Sequence, residues 1–128
     1  MYHVLICDDQ PDIVNALKIY LAPEGYHLFE AFDGRQALQI VREQDLHLIL
    51  MDIMMPELDG FSACRQIKKT APDMPIIMLS ALGEEYDKVH GFDLGVDDYV
   101  VKPFSGKELM MRIHAILKRT RSGAGDVF

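Results

Sequence analysis

Cysteine is scarce: Cys7 and Cys64 are the only two in 128 residues, they form no CxxC pair, and no histidine stands at metal-ligand spacing from either. A disulfide framework or thiolate metal site is therefore not what organises the chain, and both thiols are expected to be buried and reduced. Positive charge is also in short supply, with 13 Lys and Arg against 20 Asp and Glu and a formal net charge of −7. A field of that sign opposes direct binding to nucleic acid or an anionic membrane. No apolar run approaches the length of a membrane helix, and the first ends at Asp8 and Asp9, too early for a secretory signal. A cytoplasmic protein is expected, with no membrane contact. Internal repeats and low-complexity segments are absent as well.

What is present is the balance of one globular domain: 49% hydrophobic and 26% charged residues in a length that can bury a continuous core. Five apolar runs, Val4–Cys7, Tyr26–Ala31, Leu46–Met51, Ile76–Leu79 and Tyr99–Val101, alternate with segments of helical period. That alternation predicts repeated βα units and a parallel sheet. The central runs are apolar on both faces, as strands covered on both sides must be, whereas His27 and Glu30 mark the second as an edge. Helical stripes are predicted at Ile13, Leu17, Tyr20 and Leu21; at Ala37, Leu38 and Val41 behind a capping box from Asp33 to Gln36; and at Phe61, Cys64 and Ile67. A weaker fourth stripe holds Val89 and Phe92, with Gly91 inside it and Gly95 near its end. The fifth opens at a Ser105-to-Glu108 capping box and carries Leu109, Ile113, Ile116 and Leu117. The domain is predicted over residues 1–120, and the small and polar residues 121–128 read as a linker or tail.

In such a sheet, ligands bind outside the carboxyl ends of the strands, where the strand order reverses. Asp8 and Asp9 follow the first run, Asp52 the third, Ser80 the fourth, and Lys102 with Pro103 the fifth. Each has a plain reading alone: an Asp pair before a helix is an N-cap, Ser80 a turn hydroxyl, Lys102 a solvated lysine at a chain reversal. Together they place three carboxylates, a hydroxyl and an ammonium at one end of the sheet. Crowded carboxylates call for a cation, and an oxygen-only ligand set suits Mg²⁺. A metal there would offset charge in phosphoryl transfer while Lys102 and Ser80 take other oxygens, leaving Asp52 as nucleophile.

Ile-Cys-Asp-Asp (6–9), Leu-Met-Asp-Ile-Met-Met-Pro-Glu-Leu-Asp-Gly (50–60), Met-Leu-Ser-Ala (78–81) and Asp-Asp-Tyr-Val-Val-Lys-Pro-Phe (97–104) give the chain its family likeness. Over residues 2–120 it resembles the receiver domains of two-component response regulators. The resemblance implies the CheY-like, flavodoxin-type α/β fold: five parallel strands in the order 2-1-3-4-5, flanked by five helices. It implies that Asp52 is the phosphoacceptor, that Asp8 and Asp9 are the acidic pair, with Asp9 the more direct Mg²⁺ ligand, and that the Met54 carbonyl completes the ligands. Ser80 corresponds to the switch hydroxyl, Tyr99 to the switch aromatic and Lys102 to the phosphate-binding lysine, with a cis bond before Pro103. From the residues alone, Tyr99 is equally a half-buried strand aromatic. Autocatalysis is limited to phosphoryl uptake and self-hydrolysis. The apolar Met54 and Leu82 beside the site cannot orient water, so the hydrolysis is expected to be slow.

The sequence is also similar to OmpR/PhoB-type receivers, which implies a symmetric dimer after phosphorylation through the fourth helix, fifth strand and fifth helix. Lys88, Asp97, Asp98, Glu108, Arg112 and Arg119 lie on that face. As isolated charges they are equally a solvated surface. A sensor histidine kinase is the implied donor, and DNA would be contacted only through a C-terminal domain not in this chain. A stand-alone receiver signalling through protein contacts is the alternative. A flavin protein on the same sheet fits poorly, since the acidic loop 8–12 lacks a backbone nest for phosphate. His3, His27, His47, His90 and His114 have no assigned role.

Overall fold

The computed structural model describes residues 1–80 and 95–123, with side chains as far as Arg119. Five parallel strands, β1 (His3–Cys7), β2 (His27–Ala31), β3 (Leu48–Asp52), β4 (Ile76–Ser80) and β5 (Asp98–Val101), form one sheet in the order β2-β1-β3-β4-β5. This is the expected CheY-like order, with the second run at an edge. The α-helices among the described residues are α1 (Pro11–Leu21), α2 (Gly34–Glu43), α3 (Gly60–Thr70) and α4 (Gly106–Gly123), with a 3-10 turn over Ala22–Glu24. Helix α4 is the fifth of the predicted helices. The fourth, with Leu82, Lys88, Val89, Gly91 and Phe92, lies outside the described residues.

Side chains alternate along the central strands between two cores, as the two-residue period of a strand requires. Leu5, Cys7, Ile49, Met51 and Met78 pack with Ala37 of α2 and with Cys64 and Ile67 of α3. Val4, Ile6, Leu50, Ile77 and Leu79 pack with Leu17 of α1 and Ile113 of α4. Thus α2 and α3 cover one face while α1 and α4 cover the other. Each aliphatic side chain so buried contributes about 1.5–3 kcal/mol relative to leaving it exposed.

Three local readings change. The buried stripe of α1 is Val14, Leu17 and Leu21, whereas Tyr20 is 44% exposed. Its ring instead lies over Gly106, where any Cβ would collide with it. Asp33 caps α2 by accepting the Gln36 N–H at 2.8 Å, but the Gln36 amide oxygen returns to the N–H of Phe32 rather than of Asp33. Ser105 likewise accepts from the Glu108 N–H at 3.3 Å, while the Glu108 carboxylate turns outward to Arg112. Finally, α4 runs to Gly123, so the start of the predicted tail is helical. Extending an existing helix avoids the cost of nucleation, which composition does not register.

Candidate functional site

The site begins as backbone. The Asp8 N–H donates to Ala31 O at 3.1 Å, the Ile53 N–H to Leu79 O at 3.1 Å, and the Lys102 N–H to Ser80 O at 2.6 Å. These bonds carry the sheet's pairing just past the strand ends, so the residues there are held in one row. Asp8 is fully buried, Asp52 and Ser80 are nearly so, and Asp9 stands exposed at the mouth. A recess of about 470 Å³ lined by Asp9, Gln10, Pro11, Asp12 and Ile13 opens beside Asp9.

Lys102 reaches across the row, its Nζ 2.8 Å from Asp8 Oδ2 and 3.1 Å from Asp52 Oδ1. The second Asp8 oxygen accepts the Gln10 N–H at 2.9 Å. Burial, then the Asp8 and Asp9 charges, push the Asp52 carboxyl up to about 6 against the pull of Lys102. Burial would lower the Lys102 ammonium, but its bonds to Asp8 and Asp52 outweigh that and hold it above the usual lysine range. The row is thus an excess of buried negative charge with one ammonium shared between two carboxylates.

Carboxylate oxygens of Asp8, Asp9 and Asp52 all lie within 4.8 Å of one another, the one such group of potential metal ligands among the described residues. An all-oxygen, anionic set with an open mouth fits a hard divalent cation that retains water. A bound cation would neutralise charge gathered at these oxygens. Lys102 already draws on two of the three carboxylates, so it should compete. In Lys102→Met the Mg²⁺ dissociation constant is expected to fall on the order of tenfold by calorimetric titration, because one repelling charge is gone. Unchanged or weaker binding would contradict that competition.

The structure brings together Asp8, Asp9, Asp52, Ser80 and Lys102 as the strand-end argument expects. The bond between Lys102 and Pro103 is cis. Met54 is exposed just beyond Asp52. Tyr99 is buried rather than half-buried, on the face that α3 covers. Away from the carboxylates, Asp97, Asp98, Glu108, Arg112 and Arg119 join Met111 and Ile116 around a shallow groove of about 360 Å³. Arg112 spans Asp98 at 2.7 Å and Glu108 at 3.0 Å, and Arg119 meets Asp97 at 3.1 Å.

Two glycines that sequence reasoning passed over shape the site. A Cβ on Gly60 would strike the carbonyl of Asp52, and one on Gly34 the carbonyl of Leu58. The Gly60 N–H also donates to Ile53 O at 2.8 Å, which folds the loop after Asp52 back on itself. Asp59 caps α3 beside it, accepting from the Ser62 N–H at 2.9 Å. The signal was the Leu-Asp-Gly triplet at 58–60, an N-cap followed by a residue without a side chain.

Residues 4–114 match the profile described as the response regulator receiver domain. The chain belongs to the response regulator receiver family. Among curated relatives, the "Probable transcriptional regulator ycf27" of Guillardia theta is 48% identical over 121 residues, covering 94% of this chain and 47% of the relative. The receiver therefore spans about half the length of that protein. Among solved structures, the receiver domain of the Francisella response regulator 1452 superposes with a TM-score of 0.88 at 38% identity, covering 94% of this chain and 99% of the other. DrrB, a Thermotoga maritima OmpR/PhoB homolog, superposes with a TM-score of 0.85 at 30% identity over 94% of this receiver and 54% of its own chain. Among the described residues of this receiver, no helix is long and apolar enough to cross a membrane.

Proposed function

We propose that this receiver is the switch of a transcription regulator, charged on Asp52 by a sensor histidine kinase. The observation that carries this reading is a nearly buried Asp52 carboxylate 3.1 Å from Lys102 and within 4.8 Å of two further carboxylates. Asp8, Asp9, Asp52 and the Met54 carbonyl would hold Mg²⁺, which supplies neutralising charge when bound. An Asp52 oxygen attacks the phosphorus of a phosphoimidazole; the new O–P bond forms as the P–N bond breaks, and the imidazole leaves. Lys102 and the Ser80 hydroxyl receive the other phosphoryl oxygens. Met54, apolar and exposed just beyond Asp52, cannot orient an attacking water by hydrogen bonding, so self-hydrolysis would be slow.

The output follows from the added charge. Ser80 turns toward the phosphoryl group, the interior position that Tyr99 already occupies is held more firmly, and the groove along β5 and α4 is fixed in one shape. That groove, with the expected fourth helix and Lys88, is the dimer face. Its Arg112–Asp98 and Arg119–Asp97 pairs lie within one chain. They are half-exposed, so exchanging them for pairs across a twofold axis costs little. The curated relative's name and its greater length support a C-terminal DNA-binding portion as the effector. Acetyl phosphate tests the chemistry: one phosphoryl group by intact mass, and none when EDTA is added before the donor. Beryllofluoride with Mg²⁺ should convert the monomer to a dimer in sedimentation. A monomer under both conditions would overturn the dimer reading.

A further inference from the structure

At the opposite end of the sheet from the carboxylates, three histidines stand side by side on three strands. His3 opens β1 and pairs in register with His27 of β2. His47, just before β3, donates its N–H to His3 O at 2.8 Å, and its ring Nδ1 accepts the His3 N–H at 2.9 Å. The His3 ring centroid lies 5.0 Å from that of His27 and 5.5 Å from that of His47. An imidazole therefore takes the place of the backbone acceptor that would otherwise begin the β1–β3 ladder.

The arrangement does not suit a metal. The three rings do not gather ligand atoms as Asp8, Asp9 and Asp52 do, and the His47 nitrogen facing β1 already accepts a hydrogen bond. It does suit a proton. A ring nitrogen that accepts from an N–H must be unprotonated, and adding a proton there sets two donors against each other. We infer that His47 is a proton-sensitive fastener of the sheet end, holding the start of β1 closed while neutral and releasing it when protonated.

The surroundings bear on which state is favoured. From the β1 side, His47 faces the N-terminal amine, Tyr2 and His3, with His27 of β2 one ring further away. From its own loop it faces Asp45, and Asp73 lines the same groove from the loop after α3. Burial, His3 and the amine outweigh Asp45, so the His47 pKa lies below the usual histidine value. The Nδ1 of His3 is buried among the described residues without a hydrogen-bond partner. A histidine whose folded pKa is depressed binds its proton more readily when released. The closed state is therefore full-strength above the ordinary histidine pKa and weakens as pH falls through it.

The test is amide hydrogen exchange by NMR, with the His47 ring titrated in the same samples. The protection factor of the His3 amide should fall about tenfold between pH 7.5 and 5.0, the effect expected when one partly buried hydrogen bond is lost. In His47→Asn, an amide oxygen keeps the acceptor without titrating, and protection should stay flat over that range. In His47→Ala, protection should be low at every pH. Comparing the variants at each pH cancels titration of the distant Asp52. His3 protection that is pH-independent in the wild-type protein, or that falls equally in His47→Asn, would overturn the inference. So would a His47 ring titrating at or above the free value.

Discussion

Asp52→Asn is expected to abolish phosphoryl uptake from acetyl phosphate while leaving the domain folded and more stable. The amide matches the carboxylate in shape but is a poor nucleophile, so no aspartyl phosphate forms at this position. Stability should rise because the charge is disfavoured where it sits: burial, with Asp8 and Asp9, pushes the carboxyl up to about 6. Removing it relieves like-charge repulsion and leaves Lys102 paired with fully buried Asp8 at 2.8 Å. A gain on the order of 1–2 kcal/mol is expected in thermal or urea unfolding without Mg²⁺. The same substitution should remove the beryllofluoride-induced dimer. Persistent uptake by the variant would move the acceptor to another residue, and loss of stability would mean that the Lys102–Asp52 bond outweighs the repulsion.

Gly60→Ala should be among the most damaging small substitutions at the described residues. The added methyl would be driven into the Asp52 carbonyl and come within 2.8 Å of Ile53 Cα and 2.9 Å of the Asp52 carbonyl carbon. All three are backbone atoms of the segment that positions Asp52, so the clash cannot be relieved by a rotamer change. Overpacking against fixed backbone is expected to cost about 3 kcal/mol or more, and phosphoryl uptake should fall with it because Asp52 itself is displaced. Gly106→Ala provides the contrast. There the methyl meets the ring of Tyr20, which is 44% exposed and can swing outward. A loss of no more than about 1 kcal/mol is expected at that position. Urea denaturation of the two variants checks the ranking, and equal losses would contradict it.

The difference between those glycines explains what could be read from the sequence. Strands were legible because two-sided burial leaves continuous runs such as Ile49 to Met51 and Ile76 to Leu79, and their order followed from the family likeness. The residues of the carboxylate row were legible because each stands immediately after such a run. Val14 was overlooked in favour of Tyr20 because both fit a helical period beside Leu17 and Leu21, and it is Val14 that packs into the core with them while Tyr20 stays 44% exposed. Gly34 is silent for the same reason, since its role lies in Leu58 packing against it, whereas Gly60 was marked only by the Asp59 cap before it. The histidines looked scattered at positions 3, 27 and 47. Parallel pairing, which repeats a register at spacings set by the intervening helices, makes them adjacent.

The central claim is that the Asp52 carboxylate itself carries the phosphoryl group, and reduction of the acyl phosphate tests it directly. Hydride attack on an aspartyl phosphate expels phosphate and leaves homoserine, a change that peptide mass spectrometry can place on one residue. After acetyl phosphate and Mg²⁺, borohydride treatment should yield homoserine at position 52 alone, and none when EDTA is added first. Homoserine at position 8 or 9, or none at 52 despite a phosphoryl adduct on the intact protein, would contradict the account.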